Sequence, residues 1–232
     1  MSVIISHKYK FIFIKTNKTA GTSVEIALSR FLGEDDVITP IAPEDEITRS
    51  ELGYPGPQNY LAPWQEYDLR GIAGLVFKRK KKPRFFNHIS ARLVKSHVGE
   101  QVWNDYFVFC FERNPWDRVI SHYYWLYKTE PRPSVSDYLN SKAPLALKRR
   151  GSQLYMIDGK IAVDKIALFE KLADEMEAIR IQLGIPEPLQ LPHAKSSHRK
   201  DKRSYRDVLT PDDRAKVAEL FSEEIRACGY EF

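Results

Sequence analysis

Cysteine is nearly absent from this 232-residue chain, which holds only Cys110 and Cys228. Neither belongs to a C-x-x-C pair or a Cys/His cluster, and that excludes a zinc-finger-like site and a disulfide framework. Cys110 lies inside an apolar run and reads as a small core residue. No apolar run approaches the roughly 18 residues that a membrane-spanning helix needs, and an apolar strand begins too soon after Met1 for a signal peptide. Helix-turn-helix, zinc-finger and RNA-recognition signatures are also missing. What remains is 43% hydrophobic and 29% charged, with a net charge of +5 and a pI near 9.0. That composition fits one compact domain over residues 1–232 whose surface attracts anions. The basic run Lys78 to Arg84 reads as a solvated surface, so nucleic acid is not the favoured partner.

The run Lys10-Phe11-Ile12-Phe13-Ile14 leads into Lys15-Thr16-Asn17-Lys18-Thr19-Ala20-Gly21-Thr22-Ser23, and a helical pattern follows from Val24 to Leu32. A strand, a small-residue loop and a helix start can wrap an anionic group, because the first helical N–H groups are unpaired and carry partial positive charge. In a nucleoside-triphosphate loop of the form G-x-x-x-x-G-K-[ST] the lysine follows the last glycine. Here Lys18 precedes Gly21. The residues alone also allow a simple capped helix, since Ser and Thr are ordinary caps.

A second signal spans Asp105 to Trp125. Tyr106 to Phe111 read as a buried parallel strand, Pro115 suits a first helical turn, and Val119, Ile120, Tyr123 and Tyr124 share one helix face. Arg113 then stands at a strand's carboxyl end, with Ser121 two turns into the helix, where open α/β sheets bind ligands. A salt bridge from Arg113 to Glu112 or Asp117 is the alternative, and Arg118 is a weaker candidate ligand.

The K-T-A-G-T-S loop resembles the 5′-phosphosulfate loop of sulfotransferases that use 3′-phosphoadenosine 5′-phosphosulfate (PAPS). Arg113 with Ser121 eight positions later resembles the element that holds the 3′-phosphate of that donor. The branch with bacterial members and glycosaminoglycan uronyl 2-O-sulfotransferases is the most similar, although its loop usually has proline where this chain has Asn17. Ile161 to Leu172 and the ending Gly229-Tyr230-Glu231-Phe232 are similar to its late strand, following helix and tail. The resemblance implies an α/β, P-loop NTPase-like three-layer fold with a central parallel sheet flanked by helices. It also implies transfer of a sulfuryl group from PAPS to an acceptor hydroxyl, on a carbohydrate or another small molecule, with no metal. Golgi members carry a membrane anchor, and none is seen here, so the expectation is a cytoplasmic, bacterial protein.

In-line transfer needs a cation at the leaving oxygen, a base at the nucleophile and clamps that align both. Lys18 is the expected cation. Thr19, Ala20, Gly21, Thr22 and Ser23 are expected around the 5′-phosphate, with Lys15 assisting. His88 is the expected base, since imidazole titrates near neutrality and its position resembles the family's catalytic histidine; His97 is the next choice, ahead of His7, His122, His193 and His198. Arg203, Ser204 and Tyr205 are expected to contact the 3′-phosphate or adenine from a late basic loop. Between Gly33 and Asn87 the prolines, glycines and aromatics Tyr54, Tyr60, Trp64 and Tyr67 suggest an irregular insertion that forms an acceptor-binding lid. Two rivals stand beside this reading: a nucleoside-triphosphate phosphotransferase, with magnesium and carboxylate ligands, and a non-catalytic anion or nucleic-acid binder.

Overall fold

The computed structural model describes residues 3–67, 81–192 and 203–232. Its main sheet has five strands in the order β3-β1-β2-β4-β7, where β1 is Val3–Ser6, β2 Phe11–Ile14, β3 Val37–Ile38, β4 Phe107–Glu112 and β7 Lys165–Leu168. A hairpin of β5 (Met156–Ile157) and β6 (Lys160–Ile161) stands apart from it. Helices α1 (Gly21–Ser29), α2 (Pro43–Glu51), α3 (Ala91–Val98), α4 (Glu100–Asp105), α5 (Pro115–Leu126) and α6 (Val135–Asn140) precede α7 (Ala143–Arg149) and α8 (Ser152–Tyr155). Then come α9 (Leu172–Gln182), α10 (Tyr205–Val208), α11 (Pro211–Leu220) and α12 (Ser222–Cys228).

The sheet is mixed, which corrects the expectation of a parallel one. β2, β4 and β7 are parallel, whereas β1 runs antiparallel to both β2 and β3. The cause is local. Only His7 to Lys10 separate β1 from β2, a link that can close a hairpin but is far too short for the crossover that parallel neighbours need.

Period-two alternation sorts the central strands between two cores. Phe11 and Phe13 of β2 and Phe109 and Phe111 of β4 face one side, packing with Val24, Ala27 and Leu28 of α1 and Met176 and Ile179 of α9. Ile12, Ile14, Val108 and Cys110 face the other side, with Phe85, Ile89, Val94 of α3, Trp103 of α4, and Leu154 and Tyr155 of α8. Cys110 is a buried free thiol, as its place in the strand suggested.

The described parts of the segment 33–87 carry regular elements as well. Val37–Ile38 add an edge strand, and Pro43 opens α2 at a position where its missing N–H costs nothing. Gln58 pairs with Ile38 through N–H···O bonds of 2.9 and 3.0 Å. Lys78 to Lys80 lie outside the described residues, but Lys82 and Arg84 do not project freely: Lys82 Nζ donates to Glu66 O at 2.9 Å and Arg84 Nη2 to His97 O at 2.6 Å.

Candidate active site

The loop after β2 is built from inside outward. Thr16 donates its hydroxyl to the Phe111 carbonyl of β4, tying the loop's base to the neighbouring parallel strand. Lys18 and Ala20 adopt left-handed backbone, with φ of +67° and +56°. Ala20 is the residue before α1, and no side chain caps that helix start. Left-handed residues ahead of an uncapped helix turn backbone N–H groups toward a common concavity, the arrangement that holds oxyanions. The helix itself begins at Gly21, so Gly21, Thr22 and Ser23 are its first turn rather than a loop before it.

Lys15 is drawn inward. Its Nζ lies 2.5 Å from Glu25 Oε2 and 3.0 Å from Thr22 Oγ1, and the ion pair is buried. Gly21 makes room for it, since a Cβ there would stand 2.5 Å from Lys15 Cγ. The hydroxyls of Thr19 and Thr22 are likewise engaged within the loop, with Thr16 and with Lys15. Lys15 thus braces the first turn of α1 from below.

Lys18 points the other way, its Nζ 5.6 Å from the ring centroid of Trp125 on α5. The carbonyl of Lys18 accepts a 3.2 Å hydrogen bond from Arg113 Nη1, so the two ligand-like motifs, 95 residues apart, meet directly. Arg113 also donates to Asp117 Oδ2 at 2.9 and 2.6 Å and lies over Phe169 at 4.2 Å. The Asp117 bridge foreseen as an alternative and the approach to the loop therefore coexist. Ser121 is half-buried on the same helix. Arg118 is fully buried between Glu112 and Glu224, which removes it from the candidate ligands.

Of the late segment, Arg203, Ser204 and Tyr205 are described, while His193, His198 and the basic stretch up to Lys202 lie outside the described residues. Ser204 caps α10 through a capping box with Asp207. Tyr205 Oη sits 3.4 Å from Asn114 Nδ2, so this segment does return to the end of β4.

His88 stands just before Ile89, which anchors the chain in the core. Its backbone is left-handed at φ +54°, and both ring nitrogens are buried without a hydrogen-bond partner among the described residues. Burial pushes its pKa down from 6.5 to about 3, with the Arg150 and Lys15 charges acting in the same direction and the Lys15 backbone acting weakly against them. His97, the second choice, stacks edge-on against Phe85, and burial lowers it as well.

Two neighbours, Trp125 and Arg150, escaped the sequence reading, and His122 was only a minor candidate base in it. His122 hydrogen-bonds Tyr138 Oη at 2.9 Å and stacks on Trp125, and burial followed by the Lys18 and Arg150 charges lowers it to about 4. Trp125 contacts both this imidazole and the Lys18 ammonium. Arg150 is brought in by its backbone, whose carbonyl accepts the Asn17 N–H at 2.9 Å. The run Lys148-Arg149-Arg150 before Gly151 was the available signal, but nothing local ties it to a loop more than a hundred residues earlier.

A family model described as "Sulfotransferase family" matches residues 1–144, a span holding the Lys18 loop, His88, Arg113 and Ser121. An uncharacterized protein of Archaeoglobus fulgidus is 28% identical over 104 residues, covering 44% of this chain and 87% of that protein. No solved structure matches.

Proposed function

Because the chain belongs to the sulfotransferase family, we propose that it transfers a sulfuryl group from PAPS to an acceptor hydroxyl, on a carbohydrate. The observation that carries this reading is the hydrogen bond from Arg113 to the Lys18 carbonyl, which makes one cationic mouth of the loop and the strand end. In this reading residues 1–232 form a single P-loop-like domain, and 33–87 supply part of the acceptor site. The uncapped start of α1 fits a phosphate group, the backbone N–H groups of Ala20 to Ser23 being its donors. Lys15 serves as the brace of that turn. Arg113, Ser121 and the Arg203 to Tyr205 segment take the 3′-phosphate and adenine end.

The donor supplies an activated sulfur–oxygen bond; the protein supplies alignment and charge. As the acceptor oxygen bonds to sulfur, the bond from sulfur to the bridging oxygen breaks and its electron pair stays on the departing phosphate. Lys18 neutralises that developing charge. The acceptor proton passes to His88, whose unpartnered imidazole is held neutral with a free lone pair. A pKa near 3 makes a weak base in the free protein. A bound polyanion offsets the Arg150 and Lys15 charges, so the base strengthens when the donor is in place.

Calorimetric titration with 3′-phosphoadenosine 5′-phosphate, against ATP with magnesium and against 5′-AMP, tests the donor. Micromolar binding that requires the 3′-phosphate is the expected result. Tighter binding of magnesium–ATP would overturn the assignment in favour of phosphoryl transfer.

A further inference from the structure

Besides Lys18, four cationic side chains stand at the mouth of the loop or in the core behind it, and three are committed. Lys15 is paired with Glu25, Arg113 with Asp117 and the Lys18 carbonyl, and Arg118 with Glu112 and Glu224. The fourth, Arg150, is exposed, and its guanidinium has no hydrogen bond, ion pair or ring contact among the described residues. Its backbone, by contrast, is fixed on both sides. The Arg150 carbonyl holds the Asn17 N–H, and Gly151 lies so close to Arg118 that a Cβ would meet Nη1 at 2.8 Å. The next residues, Leu154 and Tyr155, pack in the same core cluster as Ile89, adjacent to His88, and Ile14, at the foot of the loop. A free guanidinium is thereby carried on a rigid backbone between the loop and the candidate base.

Asn17 is the enabling residue. The resembling loops have proline there, and proline has no N–H to donate. The chain's departure from that pattern is the atom that fastens Arg150 beside Lys18.

We propose that the Arg150 guanidinium holds the transferring sulfuryl group, engaging its non-bridging oxygens between Lys18 and His88. This rests on the PAPS reading above. A guanidinium presents paired, planar N–H donors that match an oxyanion's edge, which an ammonium cannot do. The position fits electrostatically as well, since both His88 and His122 are lowered in part by the Arg150 charge. Arg150 forms no covalent bond; it orients the group and neutralises charge on it. It also lies beyond the 1–144 span that the family model matches.

The test needs no acceptor. Wild type, Arg150→Gln and Arg150→Lys are titrated calorimetrically with PAPS and, separately, with 3′-phosphoadenosine 5′-phosphate, which lacks the sulfuryl group. Arg150→Gln should weaken PAPS roughly ten- to hundredfold, the worth of a charge-assisted hydrogen bond, with the bisphosphate changed less than about twofold. Arg150→Lys should recover only part of the loss, because a point charge replaces the fork. Equal losses for both nucleotides would make Arg150 a phosphate ligand, and no loss for either would place it in solvent; each overturns the proposal while leaving the donor reading intact. Failure of the wild type to bind either nucleotide would overturn the donor reading and this assignment together.

Discussion

The Arg118 cluster and the Lys18 mouth touch at the Arg150–Gly151 peptide, yet they use charge in opposite ways. Arg118 is sealed, with Nη1 on Glu112 and Nη2 3.0 Å from Glu224 Oε1, while Tyr155 Oη donates to Glu112 at 3.1 Å and Phe221 covers the guanidinium at 4.8 Å. Burial pushes Glu112 up against the opposing pull of Arg118, whereas Arg118, despite its own burial, is held above its ordinary value by the two carboxylates. The mouth is the reverse: neither ring nitrogen of His88 has a hydrogen-bond partner among the described residues, whereas in the Arg118 cluster only Nε of Arg118 and Oε2 of Glu224 lack one, and the side-chain charges that lower His88 and His122 are all positive. Partnered charge locks α5 to α12. Unpartnered charge of one sign is shaped to receive an anion.

The largest expected effect breaks the sealed cluster. Arg118→Ala leaves Glu112 and Glu224 buried with no counter-charge, which should cost about 3–5 kcal/mol. A urea-unfolding midpoint reads it directly, and a loss below about 1 kcal/mol would class the cluster with surface ion pairs. The second effect belongs to the mouth and should spare stability. His88→Ala should lower turnover by about two to four decades, the span of a general base, with affinity for 3′-phosphoadenosine 5′-phosphate nearly unchanged. Unaltered turnover would move proton transfer to another group, His122 being the other histidine lowered by the Arg150 charge. Third comes Gly21→Ala, which forces a methyl against Lys15 and should cost about 1–3 kcal/mol, the usual range for overpacking. Nucleotide affinity should fall with it, because the same turn presents the loop's N–H groups; a stability loss with full affinity would separate the brace from the site.

How far the sequence foretold each region follows the same division. The mouth's framework was legible because its parts are local: an apolar run, a small-residue loop and a proline-led helix. Pro115 does open α5. The hairpin that makes the sheet mixed lay in the shortness of His7 to Lys10, a length signal rather than a periodic one. Arg118 and Arg150 were not legible, because their roles are set by partners distant in the chain. Glu224, 106 residues away, decides that Arg118 is buried structure and not a ligand. Asn17 decides where Arg150 stands. A pattern read along the chain contains neither pairing.

The smallest effect expected is also the one that compares the regions without removing either. His88 and His122 have pKa values of about 3 and about 4 in the folded protein, against an ordinary 6.5. Between pH 6.5 and 4 the unfolded chain therefore takes up protons at these two positions that the native state refuses. Their contribution to stability is full above pH 6.5 and is lost progressively on acidification through that window. In urea titrations across this range His88→Ala should lose less stability than wild type, since one of the two refusing sites is gone. Saturating 3′-phosphoadenosine 5′-phosphate should act in the same direction on the wild type, because its negative charge opposes the Arg150 and Lys15 contributions at His88. Burial is the larger cause and stays, so the ligand should restore part of the difference and not all of it. If ligand and mutation both leave the pH dependence unchanged, His88 does not sense the bound anion, and the mouth is no more responsive to charge than the sealed cluster behind it.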